Sequence, residues 1–161
     1  MMKYYQVTVH RKYTAPNPIG WYGIIDSKTI EQKGIHGLQN RILLHVDKHM
    51  QMIFTDVIMV PCFMVSTLVR DVIKVYASDT FFARIILFDQ ENRRSKAYYI
   101  PDIPLAEEWN KKRVIMRVQQ SDIGKETVIM RMDLVESILR RGAVGIGLEE
   151  YEEKGEGSVI Y

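Results

Sequence analysis

The sequence predicts an α+β domain, a mostly antiparallel sheet with two short helices in a single domain. Three observations predict it. Apolar and polar residues alternate with period two over residues 4–10, 113–118 and 127–132, which is the signature of half-buried strands. Helical spacing appears in only two places, residues 66–76 and 133–139. Polar or glycine-bearing turns separate neighbouring strand candidates closely enough to make hairpins. The length, 161 residues, suits one domain, since domains cluster near about 100–150 residues. Residues 1–153 are expected to form it, with 154–161 as a flexible tail.

Taken in order, Tyr5, Val7 and Val9 share one face of a first strand, opposite Tyr4, Gln6, Thr8 and His10. Ala15-Pro16-Asn17-Pro18 then forces a turn, because each proline fixes its own φ and restricts the residue before it. Residues 21–25 read as a short strand and 26–40 as a loop or weak helix. Two further strands are expected at 41–46 and 52–59. Ser66 is a good N-cap for a helix whose apolar stripe is Leu68, Val69, Val72, Ile73 and Tyr76. Residues 81–88 are apolar except for Arg84, the pattern of a central strand. They form a hairpin with 96–100 across the polar stretch 89–95. A second hairpin joins 114–118 to 128–132 through a turn containing Gly124. Asp133 and Glu136 read as a capping box, with Leu134, Val135, Ile138 and Leu139 as the buried stripe. Arg140 and Arg141 suit the negative helix end, and Gly142 the left-handed position after it. Residues 145–151 read as the last strand.

A composition of 47% hydrophobic and 26% charged residues excludes a disordered chain, which lacks the apolar surface to offset its ordering entropy. The single Cys62 excludes a disulfide framework and a multi-cysteine zinc site. Residues 149–161 hold five Glu and one Lys and carry −4, which leaves +6 on the rest. No continuous apolar leader follows the N-terminus, and the longest apolar run, residues 57–65, is interrupted by Pro61. The expected compartment is the cytoplasm.

Several constellations touch on chemistry without completing it. His45 and His49 would share a helical face, but on a strand they lie about 13 Å apart, so they read as surface histidines. Gly142, Gly145 and Gly147 follow a helix and lead into a strand, the reverse of a phosphate loop. Asp102 with Glu152 and Lys154 has the carboxylate–lysine order of a metal-dependent nuclease, across about fifty residues, and plain surface charge explains it better. Cys62 lies in an apolar stretch with no partner base, as buried and inert cysteines do. Basic clusters at Arg93-Arg94-Lys96, Lys111-Lys112-Arg113 with Arg117, and Arg140-Arg141 sit where turns and helix ends favour such residues. With a net charge of only +2 they speak weakly for nucleic acid. No catalytic residue, cofactor or metal is expected.

Three stretches resemble the small immunity proteins of bacterial polymorphic toxin systems, immunity families 11 and 43 in particular. The first is Pro61-Cys62-Phe63-Met64-Val65-Ser66 with the helix behind it. The second is the paired-tyrosine strand Ala97-Tyr98-Tyr99-Ile100-Pro101. The third spans residues 130–150, from Met130-Arg131-Met132-Asp133 through Arg140-Arg141-Gly142 to Leu148-Glu149-Glu150. The resemblance covers roughly residues 55–153 and implies a cytoplasmic, non-enzymatic protein that neutralises a cognate toxin domain by binding it. It carries over no contact residues. Interfaces favour aromatic and arginine anchors, which makes Trp21, Tyr22, Arg93, Arg94 and Trp109 the candidates. Glu149, Glu150, Glu152 and Glu153 would face a basic cleft and speed association. The alternatives are a nucleic-acid-binding module using the basic loops and, behind it, the metal-dependent nuclease.

Overall fold

The computed structural model of the chain describes residues 2–106, 112–119 and 126–152. Trp109, Lys111, Gly124, Glu153, Lys154 and the tail 154–161 lie outside the described residues. Strand β1 (Tyr4–Val9) alternates as its sequence requires: Tyr5, Val7 and Val9 enter the largest core, while Tyr4 enters a second one behind the sheet. β1 is antiparallel to β8 (Glu126–Arg131) and to β9 (Ile146–Tyr151), and β7 (Ile115–Gln119) pairs with β8 as a hairpin. The sheet order is β7-β8-β1-β9.

The expectation of one sheet is corrected here, because a second, five-stranded sheet exists. It contains β2 (Ile42–His45), β3 (Val57–Ile58), β4 (Met64–Ser66), β5 (Phe82–Asp89) and β6 (Arg94–Pro101), ordered β2-β5-β6-β4-β3. β5 and β6 form the expected hairpin, with Phe82 opposite Pro101 and Asp89 opposite Arg94. β2 runs parallel to β5, which the long connection through β3 and β4 permits. Alternation tells which residues share a side of a strand and not which strands pair. The division into two sheets is therefore a tertiary decision.

Two helices match expectation, and a third, short one occupies part of residues 26–40, expected as a loop or weak helix. α2 (Thr67–Tyr76) begins where the Ser66 hydroxyl accepts the Val69 amide at 3.4 Å, and it buries Val69, Val72 and Ile73. Each such side chain contributes about 1.5–3 kcal/mol by leaving water. α3 (Met132–Arg140) buries Leu134, Val135 and Ile138, but Leu139 is exposed, which narrows the expected stripe. The expected Asp133 cap is also corrected. β8 runs straight into α3, so Arg131 occupies the cap position, and Asp133, inside the first turn, receives Arg131 on both oxygens at 2.8 Å. Gly142 takes the left-handed φ of 82° just past the helix.

The additional helix, α1 (Ser27–Lys33), has no buried residue, and only Ile30 packs against the core. One apolar contact in seven residues leaves no readable stripe. Residues 21–25 form a turn and not the expected strand, since the Trp21 carbonyl accepts the amides of Ile24 and Ile25. Of residues 52–59, only Val57–Ile58 is strand.

The two sheets and helices α2 and α3 enclose the largest core around Val7, Val65, Ile73, Met130 and Leu134. The opposite face of the five-stranded sheet buries Ile42, Leu44, Ile85, Leu87 and Tyr98 beneath residues 21–38. Thr55-Asp56 ties these layers together. The Asp56 carboxylate accepts the Ser66 hydroxyl and the Val144 amide, both at 2.6 Å, and the Tyr98 hydroxyl donates to the Thr55 carbonyl at 2.6 Å. Burial, and then the Asp56 charge, push the Tyr98 phenol above its ordinary range. Gly145 lies so close that a Cβ there would stand 2.4 Å from Thr55 Cγ2. No helix among the described residues is long and apolar enough to cross a membrane.

Candidate functional site

The interface candidates fall on different sheets. Trp21 is half-buried at the edge of the core beneath the five-stranded sheet, whereas Tyr22 beside it is 86% exposed. Arg93 is exposed in the β5–β6 turn at a φ of 50°. Arg94 is occupied internally. Its Nε donates to Asp89 at 3.2 Å, its terminal nitrogen to the Met52 carbonyl at 3.4 Å, and its guanidinium lies 4.9 Å from the Phe54 ring centre. It clamps residues 52–54 to the hairpin. Asn92 and then Arg94 hold the Asp89 carboxyl below its ordinary range. Glu149 and Glu150 are exposed on β9 and Glu152 just beyond it, with Glu150 3.7 Å from Lys3. Trp109 and Glu153 lie outside the described residues.

The other constellations dissolve into local structure. The His45 ring meets Phe88 edge-on at 5.7 Å, and His49 Nδ1 accepts the Gln51 amide. Asp102 lies 3.6 Å from His36, whose ring stacks on Phe81 at 3.8 Å. Glu152 follows the edge strand of the other sheet, and Lys154 is outside the described residues. Arg117 bonds the Ile103 carbonyl and Glu126. Cys62 packs against the core beneath the five-stranded sheet, and burial pushes its thiol up to about 12. A shallow groove of about 290 Å³ is lined by Val9, Ala15, Pro16, Asn17, Ile58, Met59 and Val60, a set with no titratable side chain. Among the described residues no group of three or more His, Cys, Asp or Glu side chains could hold a metal.

One further surface is built by pairing between distant segments and carries no local signature as a whole. On the five-stranded sheet, directly opposed residues share a face, and the register aligns Leu43 with Ile86 and His45 with Phe88. α2 covers the β4–β6 half of that face: the Arg70 guanidinium lies 4.3 Å from the Tyr99 ring centre, and Lys74 5.8 Å from that of Phe82. The β2–β5 half stays open. Leu43 is 58% exposed and Ile19 46%, with Ile86 and Phe88 partly exposed. Ile19 belongs to this surface because its amide donates to the His45 carbonyl at 2.9 Å, extending the sheet edge. Its neighbour Pro18 pairs with Val46 and turns inward.

The signal lies in the run 81–88, which forms the expected central strand β5 and is apolar on both faces except for Arg84. The inner residues Ala83, Ile85 and Leu87 are buried, while Ile86 and Phe88 on the outer side are only partly so. Arg84, exposed on that outer side, marks the face left to solvent. The chain matches no protein-family model and no curated protein.

Proposed function

We propose that this chain is an immunity protein, one that neutralises a cognate bacterial toxin domain by binding it and catalyses no reaction itself. The observation that carries the proposal is the open apolar column Ile19, Leu43, Ile86 and Phe88 on a strand-built face. Clustered apolar exposure of this kind marks surfaces that meet partners, and a sheet presents it with little ordering cost on binding. The stretches that resemble the immunity proteins supply scaffold: β4 with the Ser66 cap, β6, and the run from β8 through α3 to β9. That division of labour, a fixed frame beneath a partner-specific surface, suits a family of binders whose targets differ.

The test is capture on the tagged full-length chain from its source cells, followed by production of the captured toxin domain in a heterologous host. The expected result is growth arrest by the domain alone and relief when this chain is co-produced. Capture of nucleic acid alone, released at high salt, would overturn the proposal in favour of binding through the basic loops.

A further inference from the structure

We infer that the partner docks on the open β2–β5 face with an apolar patch that carries a carboxylate against Arg84; the inference rests on the toxin-binding proposal and names the chemistry of its partner. Arg84 stands on the outer face of β5 between Phe82 and Ile86, exposed, and has no ion-pair partner among the described residues. Arg41, one residue before β2 and level with Arg84 in the β2–β5 register, is a second exposed cation at this edge, while the cations that α2 brings to this side are already engaged. Arg70 is neutralised by Asp71 at 2.7 Å, and Lys74 rides on the Phe82 ring. No carboxylate occurs among the outward residues of β2, β5 and β6. Asp89, the one acid within these strands, turns inward and is already bound.

Covering this face removes water from the Arg84 guanidinium. An arginine stripped of water without a counter-charge is strongly unfavourable, and its planar fork matches a carboxylate in bidentate fashion. The partner must therefore bring an acid along with apolar side chains for Leu43 and Ile86. A second copy related by two-fold symmetry brings the same cationic, acid-free face and does not fit. A nucleic acid would supply phosphate to Arg84 and bases to the His45 and Phe88 rings, but nothing for the aliphatic side chains of Ile19, Leu43 and Ile86, which make up most of the face.

The experiment places a photoreactive benzophenone amino acid at Leu43, and in a control chain at Leu139 on α3, within full-length protein in the source cells. Light is expected to join the Leu43 chain to the toxin domain and to leave the control unlinked. The recovered domain is then titrated with wild type, Arg84→Gln and Arg84→Glu. Affinity falls at least about tenfold for Arg84→Glu, less for Arg84→Gln, and returns when the facing carboxylate of the partner is changed to lysine. Equal linkage at both positions, no linkage at Leu43, or unchanged affinity of Arg84→Glu for a domain that is still neutralised overturns the docking face and leaves the toxin-binding proposal standing. Recovery of no toxin domain overturns both. A thymidine oligonucleotide bound by wild type and lost in Arg84→Glu would reassign the face to phosphate.

Discussion

The Ser66 hydroxyl donates to the Asp56 carboxylate at 2.6 Å in the interior of the protein, while the same hydroxyl accepts the Val69 amide at the start of α2. The second carboxylate oxygen holds the Val144 amide, 88 residues away. One buried acid thus fixes a helix cap on the five-stranded sheet and the α3–β9 connection of the other sheet. Asp56→Ala leaves a buried hydroxyl and a part-buried amide without an acceptor, each costing about 1–3 kcal/mol. Urea denaturation is expected to show a total loss of roughly 3–5 kcal/mol. A loss under about 1 kcal/mol would mean that water replaces the carboxylate.

Gly142 and Gly145 share a left-handed φ, 82° and 84°, but not their surroundings. A Cβ on Gly142 meets nothing within 4 Å, whereas one on Gly145 would press on both Thr55 side-chain carbons. Gly142→Ala should therefore cost about 1–2 kcal/mol from backbone strain alone. Gly145→Ala should cost a further 1–3 kcal/mol, by the usual scale of about that size for overpacking. Thermal denaturation of the two variants side by side checks the order, and equal melting temperatures contradict it.

Leu43 and Leu44 are neighbours on opposite sides of β2, 58% and 4% exposed. Leu44→Ala should destabilise the fold by about 2–5 kcal/mol. Leu43→Ala should stay within about 0.5 kcal/mol and instead weaken partner binding. Denaturation of the pair distinguishes the two roles, and a large loss of stability from Leu43→Ala would show the face to be covered.

Hydrogen bonds from Arg131, and then its charge, hold the Asp133 carboxyl below its ordinary 3.8. A depressed value means that the ionised pair stabilises the folded state above the unfolded value and that this contribution disappears as pH falls through the folded one. The stability gap between wild type and Asp133→Asn should therefore be fully open near neutrality and close below about pH 3.8. Melting curves recorded down through that window check it. A gap that does not change with pH would mean that Asp133 binds its proton equally in the folded and unfolded chain, and no gap at neutrality would mean that the amide replaces the carboxylate.

Much of the local structure was legible because it depends on neighbours in the sequence. The alternation of Tyr5, Val7 and Val9, the Ser66 cap, the stripe of Val69, Val72 and Ile73, and Gly142 after α3 all stand as read. Asp133 misled because a D-x-x-E spacing looks alike whether the acid precedes the helix or sits inside its first turn. The choice was made by β8, whose pairing with β1 runs as far as Arg131. α1 gives only a weak helical signal in the sequence because its support comes from Asp26, which binds the Thr29 hydroxyl and the Gly23 amide, and not from an apolar stripe.

What the sequence by itself determined is the α+β class and the elements with a clear period, β1, the β5–β6 and β7–β8 hairpins, α2, α3 and β9, since periods of two and 3.6 residues are written into side-chain spacing. What only the tertiary structure decided is which sides of those elements meet. Alternation separates Leu43 from Leu44 but does not say which is covered, and the apolar run around Arg84 reads the same with one face buried or two. Coverage follows from long-range pairing: β2 lies parallel to β5, α2 caps only the β4–β6 half of the sheet, and the remaining half is left facing solvent. The candidate binding surface exists for that geometric reason, and no local rule contains it.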